Sequence, residues 1–364
     1  MSHEHLSQAL RRIAASPTTA MTDRATALRE AGRDVISLSV GEPDFATPPH
    51  VIEAAKAALD AGATKYTPVT GTLRLKQAAA LHFRRDLGIE TRPEQVIVTA
   101  GGKQAIFEAL VATVSEGDEV IVPSPWWVSY PQMVRFAGGK VVPLVTHPHH
   151  GFRFDPADFE ALITPRTAWL LLNSPGNPTG AVYPAEMLRG IADVLRRHPQ
   201  VMVLSDDIYA PLIYTGEKHA TLTAMFPDLA DRVCTVSGVS KSHAMTGFRI
   251  GVATGPGWLI EAMGRLQSNA SGNPAAVSQA AGLVDHQRLA VLEQDRDCHA
   301  SAPAIRRSAS SSTFSSAAKL MRKPSFPPKA LAATTATPCS SKRSASLLSS
   351  PPKRNISGFA STKQ

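Results

Sequence analysis

The sequence predicts an α/β fold: a mostly parallel, seven-stranded sheet with helices on both faces. Three observations carry this. Seven short apolar runs are rich in β-branched residues, helical repeats lie between several of them, and turn residues bound most of them. In chain order the expected strands are VIVTA (96–100), EVIVP (119–123), KVVPLV (140–145), AWLLLN (168–173), VMVLSD (201–206), RVCTVS (232–237) and RIGVATG (249–255). KQAIFEALVATV (103–114) and PAEMLRGIADVLRR (184–197) read as helices between them. Sheets of this kind bind ligands at the carboxyl ends of their strands, where several polar motifs fall.

The chain has 364 residues, enough for two packed domains, and its 43% hydrophobic and 19% charged content is that of a soluble globular protein. No apolar run approaches the ~18 residues of a membrane span, and MSHEHLSQALRRIAASP lacks the apolar core of an export signal. Cys234, Cys298 and Cys339 form neither a metal-ligand spacing nor a disulfide framework, so a cytoplasmic location and no metal are expected. The net charge of +8 belongs to one end. Residues 301–364 hold eleven of the 38 Lys and Arg and none of the 30 Asp and Glu, which leaves the first 300 residues mildly acidic. That end is rich in Ser and has no convincing period, so composition reads it as a disordered basic tail.

Five stretches carry chemistry. SGVSKSHAMTGFRIG (237–251) sets Lys241 among small residues with Arg249 eight positions on. A lysine can form a Schiff base and an arginine can neutralise a phosphate, but this pair alone is weak. AGGKQAIFEAL (100–110) places Gly101 and Gly102 between a strand and a helix, as a phosphate seat or a plain tight turn. NSPGNPTG (173–180) is a rigid loop past an apolar strand that presents Asn177. SDDIY (205–209) puts Asp206 and Tyr209 at another strand end, where a buried carboxylate can pair with a protonated ring nitrogen. PSPWWVSYP (123–131) offers Trp126 and Trp127, either of which could stack on a flat ring or sit in the core.

Together these pieces describe a pyridoxal phosphate site, and here the sequence resembles a known family. Over residues 5–282, SVGEPDFATP, KYTPVTGT, VTAGGKQAIF, PSPWWVSYPQMVRFAGG, NSPGNPTGAVYP, SDDIY and SKSHAMTGFRIG occur in the order of the fold-type I, class I/II aminotransferases. The likeness is to the bacterial aspartate and aspartate/prephenate enzymes. It implies pyridoxal 5'-phosphate as cofactor, amino-acid and 2-oxo-acid substrates, and a homodimer with shared sites. Lys241 would hold the cofactor and move the substrate proton. Asp206 would face the ring nitrogen, Asn177 and Tyr209 the ring oxygen, and Trp127 the ring. Gly101, Gly102, Lys103 and Arg249 would hold the phosphate end, and Tyr66 would reach the phosphate of the neighbouring subunit. Gly41, Asn177 and Trp127 would meet the substrate. Lys103 would face a distal carboxylate, with Ser16 and Thr18 in a segment that closes over it; otherwise it is a solvated lysine in a first helical turn. Aspartate with 2-oxoglutarate is the favoured pair, with prephenate or its amino product as alternatives.

The resemblance also implies three segments: an N-terminal arm with part of a small domain (1–44), a cofactor-binding large domain (45–282) and an aberrant Ser/Pro/Lys/Arg-rich tail (283–364). The small domain is expected to be incomplete. No F-R-I/L-S phrase, which supplies the family's α-carboxylate arginine, follows Arg249. In a shifted reading frame the codons of 334–354 permit the family's helix-and-strand pattern, and those of 357–361 permit its arginine phrase. A frameshift therefore explains the tail better than a genuine extension, and weak or absent transamination is expected. Two other readings stay open: a pyridoxal phosphate lyase or synthase, and a cofactor-binding regulatory protein whose basic tail engages nucleic acid. The tail lacks interleaved Tyr or Trp, which argues against nucleic acid.

Overall fold

Every side chain from Val96 to Thr99 in the first predicted strand is buried, because the sheet it enters is covered on both faces. The computed structural model describes residues 5–286, apart from 215 and 217. Expectations for the tail beyond 286 lie outside the described residues. Seven strands form one sheet: β1 Val96–Thr99, β2 Glu119–Ser124, β3 Lys140–Val145, β4 Thr167–Asn173, β5 Met202–Asp206, β6 Val233–Gly238 and β7 Gly251–Thr254. Their order is β1-β7-β6-β5-β4-β2-β3. The pairs β2–β3, β2–β4, β4–β5 and β5–β6 are parallel, whereas β7 runs antiparallel to both β1 and β6.

Alternation along the strands divides the core in two. On one face Ile97, Val122, Leu171, Leu204, Val236 and Ala253 pack with buried residues of helices Gly102–Thr113, Ser129–Ala137 and Gly257–Ala270. The other face takes Ile121, Leu170, Leu172, Val203 and Val233 against helix Ala185–Arg197. Further along that face, Val96, Val98 and Val252 meet helices Pro49–Asp60 and Leu73–Leu87. Each fully buried aliphatic side chain contributes ~1.5–3 kcal/mol to this packing.

One predicted strand needs correction. The run 249–255 does not begin at Arg249, which adopts a left-handed conformation (φ 56°); the strand starts at Gly251. The left-handed conformation belongs to a turn and not to a strand, so Arg249 lies in the turn that delivers the chain to Gly251, where a Cβ would collide with the backbone of Gly101 and Gly102. Because β7 is antiparallel, its start lies at the same edge as the carboxyl ends of β5 and β6. That reversal brings Arg249 to the edge where Asp206 and the Lys241 turn already lie.

Candidate active site

Six strand ends supply one cavity of about 430 Å³. Its lining includes Gly102 and Lys103 after β1, Trp127 and Tyr130 after β2, Asn177 after β4, Asp206 and Tyr209 at β5, Lys241 after β6 and Arg249 before β7. Ser16, Thr18, Val40, Gly41 and Glu42 close it from the N-terminal side. The expected residues thus converge, with two exceptions. Gly101 is the cap before the helix and touches the Arg249 guanidinium, but does not line the cavity. Tyr66 is 98% exposed and stands outside it.

Asp206 ends β5 with its side chain 5% exposed. Tyr130 Oη donates to its Oδ2 at 2.6 Å, and the Ile208 N–H donates to Oδ1 at 3.3 Å. Burial lifts the carboxyl to about 6; the Tyr130 and Ile208 hydrogen bonds pull it down and the neighbouring Asp207 charge pushes it up. Asn173, the last residue of β4, fixes the next loop. Its Nδ2 donates to the Asp206 carbonyl at 2.8 Å and its Oδ1 accepts from the Asn177 N–H at 2.7 Å. Asn177 Nδ2 then reaches Tyr209 Oη at 3.4 Å, so the two side chains expected to share a partner converge.

Lys241 sits in the short helix Val239–Ser242, with its Nζ donating to the Gly41 carbonyl at 2.5 Å. Burial draws the ammonium below its ordinary value; Glu42 opposes this and Arg249 adds to it. Arg249 donates to the Thr246 carbonyl at 2.9 Å and to the Ala100 carbonyl at 3.1 Å. Its guanidinium therefore lies at the start of helix Gly102–Thr113, where free N–H groups also favour an anion. Lys103 Nζ stands 4.8 Å from the Trp127 ring centroid, and burial with the Arg249 charge lowers its proton affinity.

Sequence reasoning left two questions that packing answers. Trp127 lines the cavity described above, whereas Trp126 lines a smaller one that shares Tyr130 and Asn177 with it. Tyr130 and Asn173 were missed as functional residues although both lie in quoted motifs. No local pattern marks them, because their partner Asp206 is 76 and 33 residues away.

The family of class I and II aminotransferases matches residues 33–301. This chain belongs to that family. The aminotransferase is 50% identical over 278 residues to the aspartate/prephenate aminotransferase of Cereibacter sphaeroides, covering 76% of this chain and 70% of that protein. Among solved structures, aspartate aminotransferase from Rhizobium meliloti superposes with a TM-score of 0.77 at 42% identity, covering 80% of this chain and 73% of that one. The aspartate aminotransferase from Thermus thermophilus with maleate gives 0.75 at 44% identity, over 81% and 75%. The family uses pyridoxal phosphate. The residues that line the cavity fit that cofactor: a cationic, glycine-lined corner suits a phosphate, a buried carboxyl suits a ring nitrogen, and a half-buried amine opens onto the same space. Among the described residues no helix is long and apolar enough to cross a membrane, and no group of three His, Cys, Asp or Glu is placed to hold a metal.

Proposed function

We propose that this cavity holds pyridoxal phosphate on Lys241 and transaminates an acidic amino acid, with aspartate and 2-oxoglutarate as the favoured pair. The convergence of Lys241, Asp206 and Arg249 on one cavity carries the reading. When bound, the cofactor supplies a reactive carbonyl and an electron-withdrawing ring. Asp206 would hold the ring nitrogen protonated, Asn177 and Tyr209 would bind the ring oxygen, and Trp127 would cover the ring. Gly101, Gly102, Lys103 and Arg249 would hold the phosphate end. Lys241, its proton affinity lowered by burial, would take the proton from the substrate Cα and return it on the other side of the reaction.

Lys103, which lines the cavity together with Ser16 and Thr18, would bind the distal carboxylate. The maleate, a dicarboxylate, in the Thermus neighbour supports an acidic substrate. Prephenate is the second reading, supported by the name of the Cereibacter relative. The Gly41 backbone would meet the α-carboxylate once Lys241 releases its carbonyl. The exposed Tyr66 suits a homodimer in which it reaches the neighbouring site. The cysteine usage suits the cytoplasm.

For the 364-residue chain, weak or absent turnover is expected because the second arginine phrase is missing. The test is to incubate the purified chain with pyridoxal phosphate, reduce with borohydride and locate the label by peptide mass. Labelling at Lys241, lost in Lys241→Ala, supports the site; labelling elsewhere overturns it. Robust aspartate turnover would overturn the expectation of weak activity alone.

A further inference from the structure

Two carboxylates follow one another in the sequence where β5 ends, on opposite faces of the sheet, and the site uses one of them. Asp206 shares a face with Leu204 and looks into the cavity. Asp207, one residue on, points with Ser205 to the opposite face. It is 2% exposed. Its backbone N–H donates to the Val236 carbonyl at 2.9 Å, and Ser205 Oγ donates to its Oδ1 at 2.7 Å.

The other carboxylate oxygen, Oδ2, lies 3.2 Å from His219 Nε2, with the two side chains 3% and 7% exposed. Among the described residues, neither ring nitrogen of His219 nor Asp207 Oδ2 has a hydrogen-bond partner, and all three atoms are buried. The contact therefore has the distance of an ion pair without the alignment of a shared proton. His219 is held in place: Thr221, two residues on, donates its hydroxyl to the Leu87 carbonyl at 2.7 Å, tying this loop to the end of helix Leu73–Leu87.

A charge on one of two neighbouring buried carboxyls raises the cost of ionising the other, and a cation beside either relieves it. The titratable and charged groups that line the cavity with Asp206 are Tyr130, Tyr209, Lys241, Lys103, Arg249 and Glu42. Among the described residues, His219 is the basic side chain that stands within ion-pair distance of Asp207. We propose that His219 is a positioning residue for the reaction: it neutralises Asp207 from the far face of the sheet, so that Asp206 presents its own charge to the cavity. The inference rests on the reading of Asp206 as the acid beneath the cofactor ring. Asp207 is a neighbour that pushes the Asp206 carboxyl up, which agrees with this role.

The test uses the full chain free of cofactor, with aspartate carboxyl carbons labelled for NMR titration and Asp206 assigned by the signal lost in Asp206→Asn. His219→Gln removes the counter-charge and should raise the Asp206–Asp207 pair, followed at Asp206, by about one pH unit or more. Adding Asp207→Asn should bring Asp206 back to or below its starting value. A purely structural histidine predicts no such reversal, since the second substitution would add to the disturbance. An unmoved Asp206 in His219→Gln, or a shift that Asp207→Asn does not reverse, overturns the proposal. If His219→Gln does not fold, Asp207→Asn alone should lower Asp206, and no lowering overturns it equally. The readout needs no bound cofactor. Failure to label Lys241 would thus sink the proposed function and leave this shift intact.

Discussion

Tyr130 and Asp206 are joined by a 2.6 Å hydrogen bond between two buried side chains. The phenol belongs to the first turn of helix Ser129–Ala137 and the carboxyl to the end of β5, so the bond locks a helix to the strand end that carries the chemistry. It gives the carboxylate a donor where water has been excluded, which offsets part of the cost of burying it.

Tyr130→Phe removes that donor and keeps the ring. Hydrogen bonds to charged groups are worth about 1.5–3 kcal/mol, so pyridoxal phosphate affinity should fall at least about tenfold. The Asp206 carboxyl should titrate above its present value of about 6, since the lost bond favoured the ionised form. Fluorescence titration with the cofactor and NMR of the free protein measure the two effects; unchanged affinity would show that the bond does not hold Asp206 for binding.

Glu108 offers a pH test remote from the cavity floor. It is 1% exposed, its Oε1 accepts from Gln104 Nε2 at 2.6 Å, and its Oε2 has no hydrogen-bond partner among the described residues. Burial lifts it from 4.5 to about 7, with the Gln104 bond opposing. A raised acid stabilises the fold while it is protonated. That contribution is complete below 4.5 and is lost as pH rises through about 7. Glu108→Gln should therefore be more stable than the parent at pH 8 by about 2 kcal/mol and differ little at pH 4. Urea unfolding at the two pH values checks this.

Gly251→Ala should disrupt the phosphate corner. Its new Cβ would collide with the Gly101–Gly102 backbone, pushing β7 and Arg249 away from the helix start. Overpacking of this kind costs about 1–3 kcal/mol. Phosphate and pyridoxal phosphate should both bind more weakly, whereas pyridoxal without its phosphate should lose little. Equal losses for all three would point to general unfolding.

Lys103→Met should separate cofactor from substrate recognition. The substitution keeps the apolar stem against Trp127 and removes the charge. Maleate affinity of the cofactor-loaded chain should fall about tenfold, while a monocarboxylate of similar size changes little. Equilibrium dialysis against both anions decides whether Lys103 reads the distal carboxylate.

The sequence by itself determined the seven strands, with the start of β7 the one to be corrected, because burial on both faces leaves continuous apolar runs in all but the edge strand β3. VIVTA and VMVLSD needed no neighbours to be read. It also determined the family, since motifs such as NSPGNPTG and SDDIY keep their order along the chain. Tertiary structure alone decided which of Trp126 and Trp127 faces the cavity, that Tyr130 holds Asp206, and that His219 stands behind Asp207. Arg249 shows the physical reason. Eight residues separate it from Lys241 in the sequence, but it serves the same cavity because β7 enters the sheet in reverse, and a strand's direction is set by its partners β1 and β6. Local periodicity specifies whether a segment pairs; which way it runs, and what its end residues then touch, depends on chain segments far away.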